Sequence, residues 1–406
     1  MTTLPAGFRS FVTNVGIKDD SKDFTIVACD APVAAAGVFT RSLFAGPSVL
    51  VSREHLADQR ARAVVVISKN ANVANGAVGL AHAREVTERV ATHLGCAPTD
   101  VLIASTGVIG RVYPIERIRT GLAALPSPLP SNDADDVARG IMTTDTVHKI
   151  AEATAGAARV VGVAKGVGMI EPDMATLITL VFTDAAIDGA ALDAMWRRVI
   201  DQTFNCVSVD TDTSTSDTAI VLASGAAGPV DDAVLENALY EVAKSLTKQV
   251  ARDGEGAETL IEVRVDGARD TRQAKVVAKS IVNSPLVKTA IHGADPNWGR
   301  VAMAVGKCHD ETDIDQNKVI IRFGSQEVYP QAVDESGLAR LADYMRGDEV
   351  LIHVTLNTGQ AQSTVWGCDL TDGYVRINAD YTTRTPRNHL GGMRMPPSTR
   401  MVSAFM

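Results

Sequence analysis

The chain is 406 residues long, 46% apolar and 21% charged, with a formal net charge of −9. That length supplies a substantial core and favours two lobes, while the acidic balance argues against a nucleic-acid surface and for a protein that handles small molecules. Five scattered cysteines without a C-x-x-C pair (Cys29, Cys96, Cys206, Cys308, Cys368), an N-terminus without signal-peptide character and apolar stretches too short for a bilayer together predict a cytoplasmic protein that does not enter the membrane.

In chain order, residues 24–29 and 47–51 are short β-rich runs, and 63–67 reads as a fully buried strand. The amide-rich stretch 70–76 fits both a capping loop and a direct substrate contact. Residues 77–94 form the clearest helix, because Val86, Val90 and Leu94 recur every four residues and Gly95 closes the run. His82 and His93 do not share a face of it, so both are read as structural and no metal site is expected. Strand 101–104 leads into Ser105-Thr106-Gly107-Val108-Ile109-Gly110. A glycine there lets a backbone N–H point into a cavity, and the Thr106 hydroxyl adds a second donor, as an oxyanion hole requires. A Thr-Gly turn by itself does not establish one. After a Pro/Ser-rich loop at 126–130 and a helix at 133–139, Thr143-Thr144-Asp145-Thr146 reads on its own as a polar turn.

The run from Lys165 to Leu180 places a glycine-containing turn, a lysine and two carboxylates, Glu171 and Asp173, before Thr176, which opens a β-branched apolar stretch. A hydroxyl at the first residue of a buried strand, fed by a strained turn, sits where a nucleophile can act; the same residue is also an ordinary strand former. Strand 177–182, helix 190–203 and strands 206–209 and 219–223 follow. The acidic run 210–217 lacks the glycine and closing glutamate of a calcium loop. Helix 231–252, with Leu235, Leu239, Val242, Leu246 and Val250 on one face, ends at Asp253-Gly254-Glu255-Gly256, where flanking glycines expose the Glu255 carboxylate. Beyond strand 260–265 and a helix over about 270–283, Trp298 is expected to pack at a domain junction, since no basic groove surrounds it. Strand 319–323, helix 336–345 and strands 350–356 and 363–368 precede a final motif at 373–383.

Over residues 8–383, in unbroken order, the segments 33–47, 104–110, 141–146, 165–180, 210–217, 253–257, 292–300 and 373–383 resemble the ornithine acetyltransferase family, also called glutamate N-acetyltransferases. The resemblance implies an α/β fold of two layered lobes with an N-terminal-nucleophile-type autoproteolytic active site between them. It implies self-cleavage at Ala175-Thr176, giving an α chain of 1–175 and a β chain of 176–383. Thr176 would be the nucleophile of cleavage and, with its freed α-amine as general base, of catalysis. Thr106 and Gly107 would hold the oxyanion, and Thr143, Lys165, Thr176, Glu255, Asn378 and Thr383 would bind substrate. The implied reaction is ping-pong acetyl transfer from N2-acetyl-L-ornithine to L-glutamate without a cofactor, with acetyl-CoA left open as a second donor.

The two chains are expected to associate and pair again into a heterotetramer. Within the family, 41–47, 104–110 and 165–176 look closest to the paralogue associated with clavulanic acid biosynthesis. Residues 384–406 depart from the family pattern; with four arginines and no acids they are expected to form a disordered basic tail. Two other functions remain compatible with the sequence, an autoproteolytic amidase or aminopeptidase and an uncleaved binding protein without activity.

Overall fold

The computed structural model describes residues 2–18, 20–171 and 177–379, so Ala175, Thr176, Thr383 and the 384–406 extension lie outside the described residues. Up to residue 171 the elements are β1 (Arg9–Thr13), β2 (Phe24–Phe39), α1 (Pro47–His55), β3 (Arg60–Ile67), α2 (Gly76–Leu94), β4 (Val101–Ser105), α3 (Ile115–Ala123), α4 (Ala134–Gly140), β5 (Lys149–Ala155) and β6 (Ala158–Lys165). From residue 177 they are β7 (Ile178–Ala186), α5 (Gly189–Gln202), β8 (Val207–Ser208), β9 (Thr218–Pro229), α6 (Asp232–Arg252), β10 (Leu260–Ala268), α7 (Thr271–Val282), α8 (Pro285–His292), α9 (Trp298–Gly306), β11 (Ile320–Phe323), β12 (Gln326–Tyr329), α10 (Glu335–Met345), β13 (Glu349–Thr355), β14 (Ala361–Cys368) and α11 (Asp372–Ala379).

The larger sheet runs β4-β3-β2-β9-β7-β6-β5, with β1 added to β2. Its central strands are buried on both faces, which is why β3 reads as a continuous apolar run rather than an alternating one. Val64 and Val66 face α4, with Ala134, Val137 and Ala138, whereas Ala63, Val65 and Ile67 face α2, with Val86 and Val90. β7 and β9, from the second half of the chain, lie between β2 and β6 from the first, so this sheet is built from both sides of position 176.

The run at 47–51 is a helix, not a strand. Pro47 occupies its first turn, where a missing N–H costs nothing. Its position against β4 decides the matter, because β4 is the outermost strand and needs its edge covered. Ser52 Oγ donates to Ile103 O at 2.6 Å and accepts from Ile103 N at 2.7 Å, and His55 Nδ1 lies 2.9 Å from Val101 O.

The smaller sheet runs β12-β11-β13-β10-β14-β8. Helix α6 packs against β5 and β6 of the larger sheet and against β10 and β14 of the smaller one, while α7 covers β10 and β14. One continuous core joins these layers. Within it Trp196 is fully buried, with its indole N–H given to Ala219 O at 3.1 Å. Trp298 is not at a junction between the sheets. It opens α9, remains 36% exposed, and stacks on Tyr329 of β12 at 5.1 Å. Among the described residues no helix is long and apolar enough to cross a membrane, and all five cysteines are free thiols.

Strand register gathers one end of the larger sheet into a working surface. Lys165, the last residue of β6, pairs with Ile178 at the start of β7, and Ile178 pairs with Thr218 at the start of β9. In the parallel pair β3 and β4, Ile67 faces Ser105, so the loop after β4 emerges beside Lys69 and Asn70.

Candidate active site

A cavity of about 370 Å³ opens at this end of the sheet. It is walled by Thr106 and Gly107 after β4, Thr143 and Thr144 before β5, Lys165 to Met169 after β6, and Leu177 and Ile178 at the start of β7. Ser214 to Asp217 before β9, Glu255 after α6 and Asn378 from α11 complete it. Six residues expected from the sequence therefore meet: Thr106, Gly107, Thr143, Lys165, Glu255 and Asn378.

The turn after β4 is fixed by its backbone. Thr106 N–H donates to Ile67 O at 3.2 Å and Val108 N–H to Lys69 O at 3.4 Å. Gly107, between them, has φ +133°, and a Cβ there would lie 2.2 Å from the Lys69 carbonyl carbon. Only glycine fits this approach. The Gly107 N–H and the Thr106 hydroxyl have no hydrogen-bond partner among the described residues, which leaves two adjacent donors for an oxygen in the cavity.

Lys165 is buried at the end of β6. Burial pushes its pKa down; Asp145 opposes this, Lys149 adds to it, and Glu255 and Asp217 oppose it again. A cation placed among carboxylates at the base of a pocket suits the carboxylate of a small ligand. Thr143 is held by Asp145, whose Oδ2 accepts the Thr143 N–H at 3.0 Å with the Thr143 hydroxyl 3.5 Å away.

Glu255 enters from the loop after α6. Its N–H donates to Val167 O at 2.8 Å, and a Cβ on Gly168 would meet its carboxylate at 2.6 Å, so the glycine lets this loop close onto the lysine turn. Gly256 serves the same purpose toward α11, since a Cβ there would lie 2.4 Å from Tyr374 N. Asn378 Nδ2 donates to Glu255 Oε2 at 2.8 Å.

In the 210–217 run, which the sequence offers without singling out a residue, two acids act on the site. Asp210 accepts from Met169 N at 2.6 Å and Ile170 N at 2.7 Å, holding Met169 at φ +56°, an unfavourable region for a residue with a Cβ. Asp217 is buried in the cavity wall, and its charge acts on Lys165. Glu171 anchors the end of the turn: Ser208 Oγ donates to it at 2.9 Å, Asn283 Nδ2 donates to it, and Lys279 Nζ lies 3.4 Å away. No local pattern marks these acids, because their partners are tens of residues distant.

Among the described residues, Glu258, His292 and Asp369 bring metal-ligand atoms close together. None lines the cavity. His292 Nδ1 lies 3.2 Å from Asp369 Oδ2, and Asp369 Oδ1 accepts from Glu258 N and Thr259 N, so hydrogen bonding accounts for the arrangement.

Fold and cavity together define a layered α/β protein whose cleft pairs two unused hydrogen-bond donors with opposed cationic and anionic groups, an arrangement suited to a small zwitterion that carries a carbonyl. The chain belongs to the ArgJ family, whose profile matches residues 9–383. It is 56% identical over 382 residues to the "Arginine biosynthesis bifunctional protein ArgJ 2" of Nostoc sp., covering 94% of this chain and 99% of that one. It is also 56% identical over 385 residues to the "Glutamate N-acetyltransferase Oat2" of Streptomyces clavuligerus, covering 93% and 98%. A crystal structure of an arginine biosynthesis bifunctional protein argJ from Bacillus halodurans is 41% identical where it aligns, with TM-score 0.46, over 49% of this chain and 96% of that one.

Proposed function

We propose that the chain is a glutamate N-acetyltransferase that moves an acetyl group from N2-acetyl-L-ornithine to L-glutamate, after cutting itself between Ala175 and Thr176. The observation that carries this is the convergence of Thr106, Gly107, Thr143, Lys165, Glu255 and Asn378 on one cavity that also takes in Leu177, the residue bonded to Thr176. Membership of the ArgJ family and 56% identity to a glutamate N-acetyltransferase support it.

In this reading the Thr176 hydroxyl adds to the Ala175 carbonyl, collapse of the adduct breaks the C–N bond and turns the peptide into an ester with the Thr176 α-amine freed, and water then hydrolyses the ester to give the Ala175 carboxylate and restore the Thr176 hydroxyl. That amine takes the hydroxyl proton as Thr176 Oγ adds to the acetamide of the donor. Thr106 Oγ1–H and Gly107 N–H hold the oxyanion, collapse expels ornithine with the proton on its amine, and acetyl-Thr176 remains. The α-amine of glutamate then adds to this ester and leaves as N-acetylglutamate, restoring the hydroxyl. Lys165 faces the substrate carboxylate, Glu255 its side-chain ammonium, and Thr143, Asn378 and Thr383 complete its polar contacts.

Two αβ pairs assemble as a heterotetramer in the cytoplasm, where free thiols stay reduced. Arginine biosynthesis is the pathway this reading assigns; arginine auxotrophy on deletion of the gene would separate it from clavulanic acid supply. The biochemical test is incubation of purified protein with N-acetylornithine and glutamate. Equimolar ornithine and N-acetylglutamate are expected. Free acetate in place of N-acetylglutamate would identify an amidase, and no turnover of either substrate would overturn the assignment. Replacing the donor by acetyl-CoA determines whether the enzyme is bifunctional.

A further inference from the structure

Behind the cavity lies a buried ion cluster that none of the substrate contacts above includes. Lys149 Nζ, wholly inaccessible, sits 2.7 Å from Asp145 Oδ1 and 2.6 Å from Asp253 Oδ2, whose side chains are 0% and 5% exposed. None of the three residues lines the cavity. The remaining bonds of Asp145 go to two of its walls, and those of Asp253 go to Thr146, which follows the wall residues Thr143 and Thr144. Asp145 Oδ1 accepts the Gly166 N–H at 2.7 Å, next to Lys165, and Asp145 Oδ2 accepts the Thr143 N–H at 3.0 Å. Asp253 accepts the Thr146 N–H at 3.1 Å and the Thr146 hydroxyl, and stands two residues before Glu255 at the end of α6.

We propose that Asp145, Lys149 and Asp253 form a clasp that positions three walls of the active site together: the Thr143 loop, the Lys165–Gly166 turn and the Glu255 loop. They are positioning residues rather than catalytic ones, and the proposal rests on the acetyl-transfer reading above. Stability alone is a poor reason for the cluster, because desolvating buried ions offsets most of their attraction, and apolar residues of similar volume do as well or better. The placement supplies a better one. Every wall the clasp serves carries a residue assigned to substrate; the β5–β6 hairpin and the Glu255 N–H bond to Val167 O bring positions 143, 165 and 255 near one another, and the clasp ties their side-chain-bearing loops at one point. The charge balance points the same way. One ammonium set against two carboxylates leaves a negative excess behind the cavity, beside Lys165. Of the groups that face Lys165, namely Asp145, Lys149, Glu255 and Asp217, Asp145 opposes the effect of its burial most.

Two variants test the clasp, each assayed beside the parent protein for melting temperature and for acetyl transfer across pH. The neutral triple replacement Asp145→Asn, Lys149→Met, Asp253→Asn removes all three charges at similar volume. It should fold with a lowered melting temperature, because the amide that replaces the Asp145 carboxylate turns an N–H toward the Gly166 or Thr143 N–H, and lose about 100-fold in kcat/KM, the scale of misplacing reacting groups by an ångström. Asp145→Asn alone leaves Lys149 paired with Asp253. It should fold and shift the alkaline limb of the rate profile to lower pH, because Lys165 loses the charge that best preserves its proton. Parental kcat/KM in the folded triple variant would reduce the clasp to a structural ion cluster. An unmoved alkaline limb with parental rate in Asp145→Asn would overturn the proposal too, and decides alone should the triple variant not fold. Absence of acetyl transfer in the parent would instead sink the functional reading, so the two failures are distinct.

Discussion

Asn378 Nδ2 donates a hydrogen bond to Glu255 Oε2 at 2.8 Å, joining α11 to the glycine loop after α6 across 123 residues of sequence. A neutral amide orients the carboxylate without cancelling its charge. The full negative charge is therefore available to a cation in the cavity.

Glu255→Gln should accordingly discriminate between donors. It keeps the shape of the side chain and removes the charge, so transfer from N-acetylornithine should weaken by about 1.5–3 kcal/mol in kcat/KM, the range for hydrogen bonds to charged groups. A neutral acetylated amino acid of similar length should lose much less. Asn378→Ala should show the same preference in weaker form, since the charge survives but its aim does not. Equal losses for charged and neutral donors in Glu255→Gln would show that the residue does not select the ornithine ammonium.

The loop after β4 yields a prediction with two separable parts. Thr106→Ala removes one unused donor from a turn whose backbone bonds remain, and should cost about 2.7–4 kcal/mol of transition-state stabilisation, mostly in kcat. Gly107→Ala should fail differently. Its Cβ would overlap the Lys69 carbonyl carbon, 2.2 Å away, at a φ of +133°, so the melting temperature should fall along with the rate. A rise in KM alone for Thr106→Ala would make it a substrate-binding residue, and an unchanged melting temperature for Gly107→Ala would mean that Lys69 can yield.

How much of this was legible in the sequence depended on the range of the cause. Strand 63–67 and helix 77–94 follow from local patterns, an unbroken apolar run and a four-residue repeat, and both are observed as β3 and α2. Residues 47–51 contain Val49 and Val51 and read as β, yet the edge of β4 makes them helical. The hairpin of β5 and β6 carries alanines and a glycine that mask its period, and α3, α8, α9 and α11 lie among Pro, Gly and polar residues that hide a helical one. In the site, Thr106, Gly107, Thr143, Lys165, Glu255 and Asn378 could be named from their motifs. The burial of Lys165, the capping of Met169 and Ile170 by Asp210, and the position of Asp217 could not, because each arises from strands and loops distant in sequence.

The ion cluster behind the site should leave its mark on acid stability. Burial pushes the Asp145 carboxyl up, but Lys165 and Lys149, the bond from Lys149 and the Thr143 N–H outweigh it and hold the pKa at about 2, below the ordinary 3.8. Between these values the unfolded chain binds more protons than the folded one, so stability rises with pH across that window. The Asp145 contribution is complete above pH 3.8 and fades as pH falls toward 2. Thermal melts of parent and Asp145→Asn should therefore differ most above this window and converge below it. Parallel curves throughout would mean that the carboxyl titrates alike in both states.

Self-cleavage is the most direct consequence of the proposed chemistry, and the sheet predicts how its products behave. β7 begins at Ile178 and is bonded along its length to β6 of the first segment on one side and to β9 on the other, while β9 in turn pairs with β2. A cut at Ala175-Thr176 breaks the chain beside these strands and none of the pairings within them, so the fragments should elute together under native conditions. In denaturant they should separate as species of roughly 18 and 24 kDa, from chain mass in proportion to length, the larger beginning Thr-Leu-Ile-Thr. Thr176→Ala should remain one full-length chain without transfer activity, because both steps need the hydroxyl; Thr176→Ser should cleave partially, since serine keeps the nucleophile but lacks the methyl that restricts its rotamer. An active parent protein that runs as a single full-length band would remove Thr176 as an N-terminal nucleophile and return the search to the other hydroxyls of the cavity wall, Thr143, Thr144 and Ser214 to Ser216.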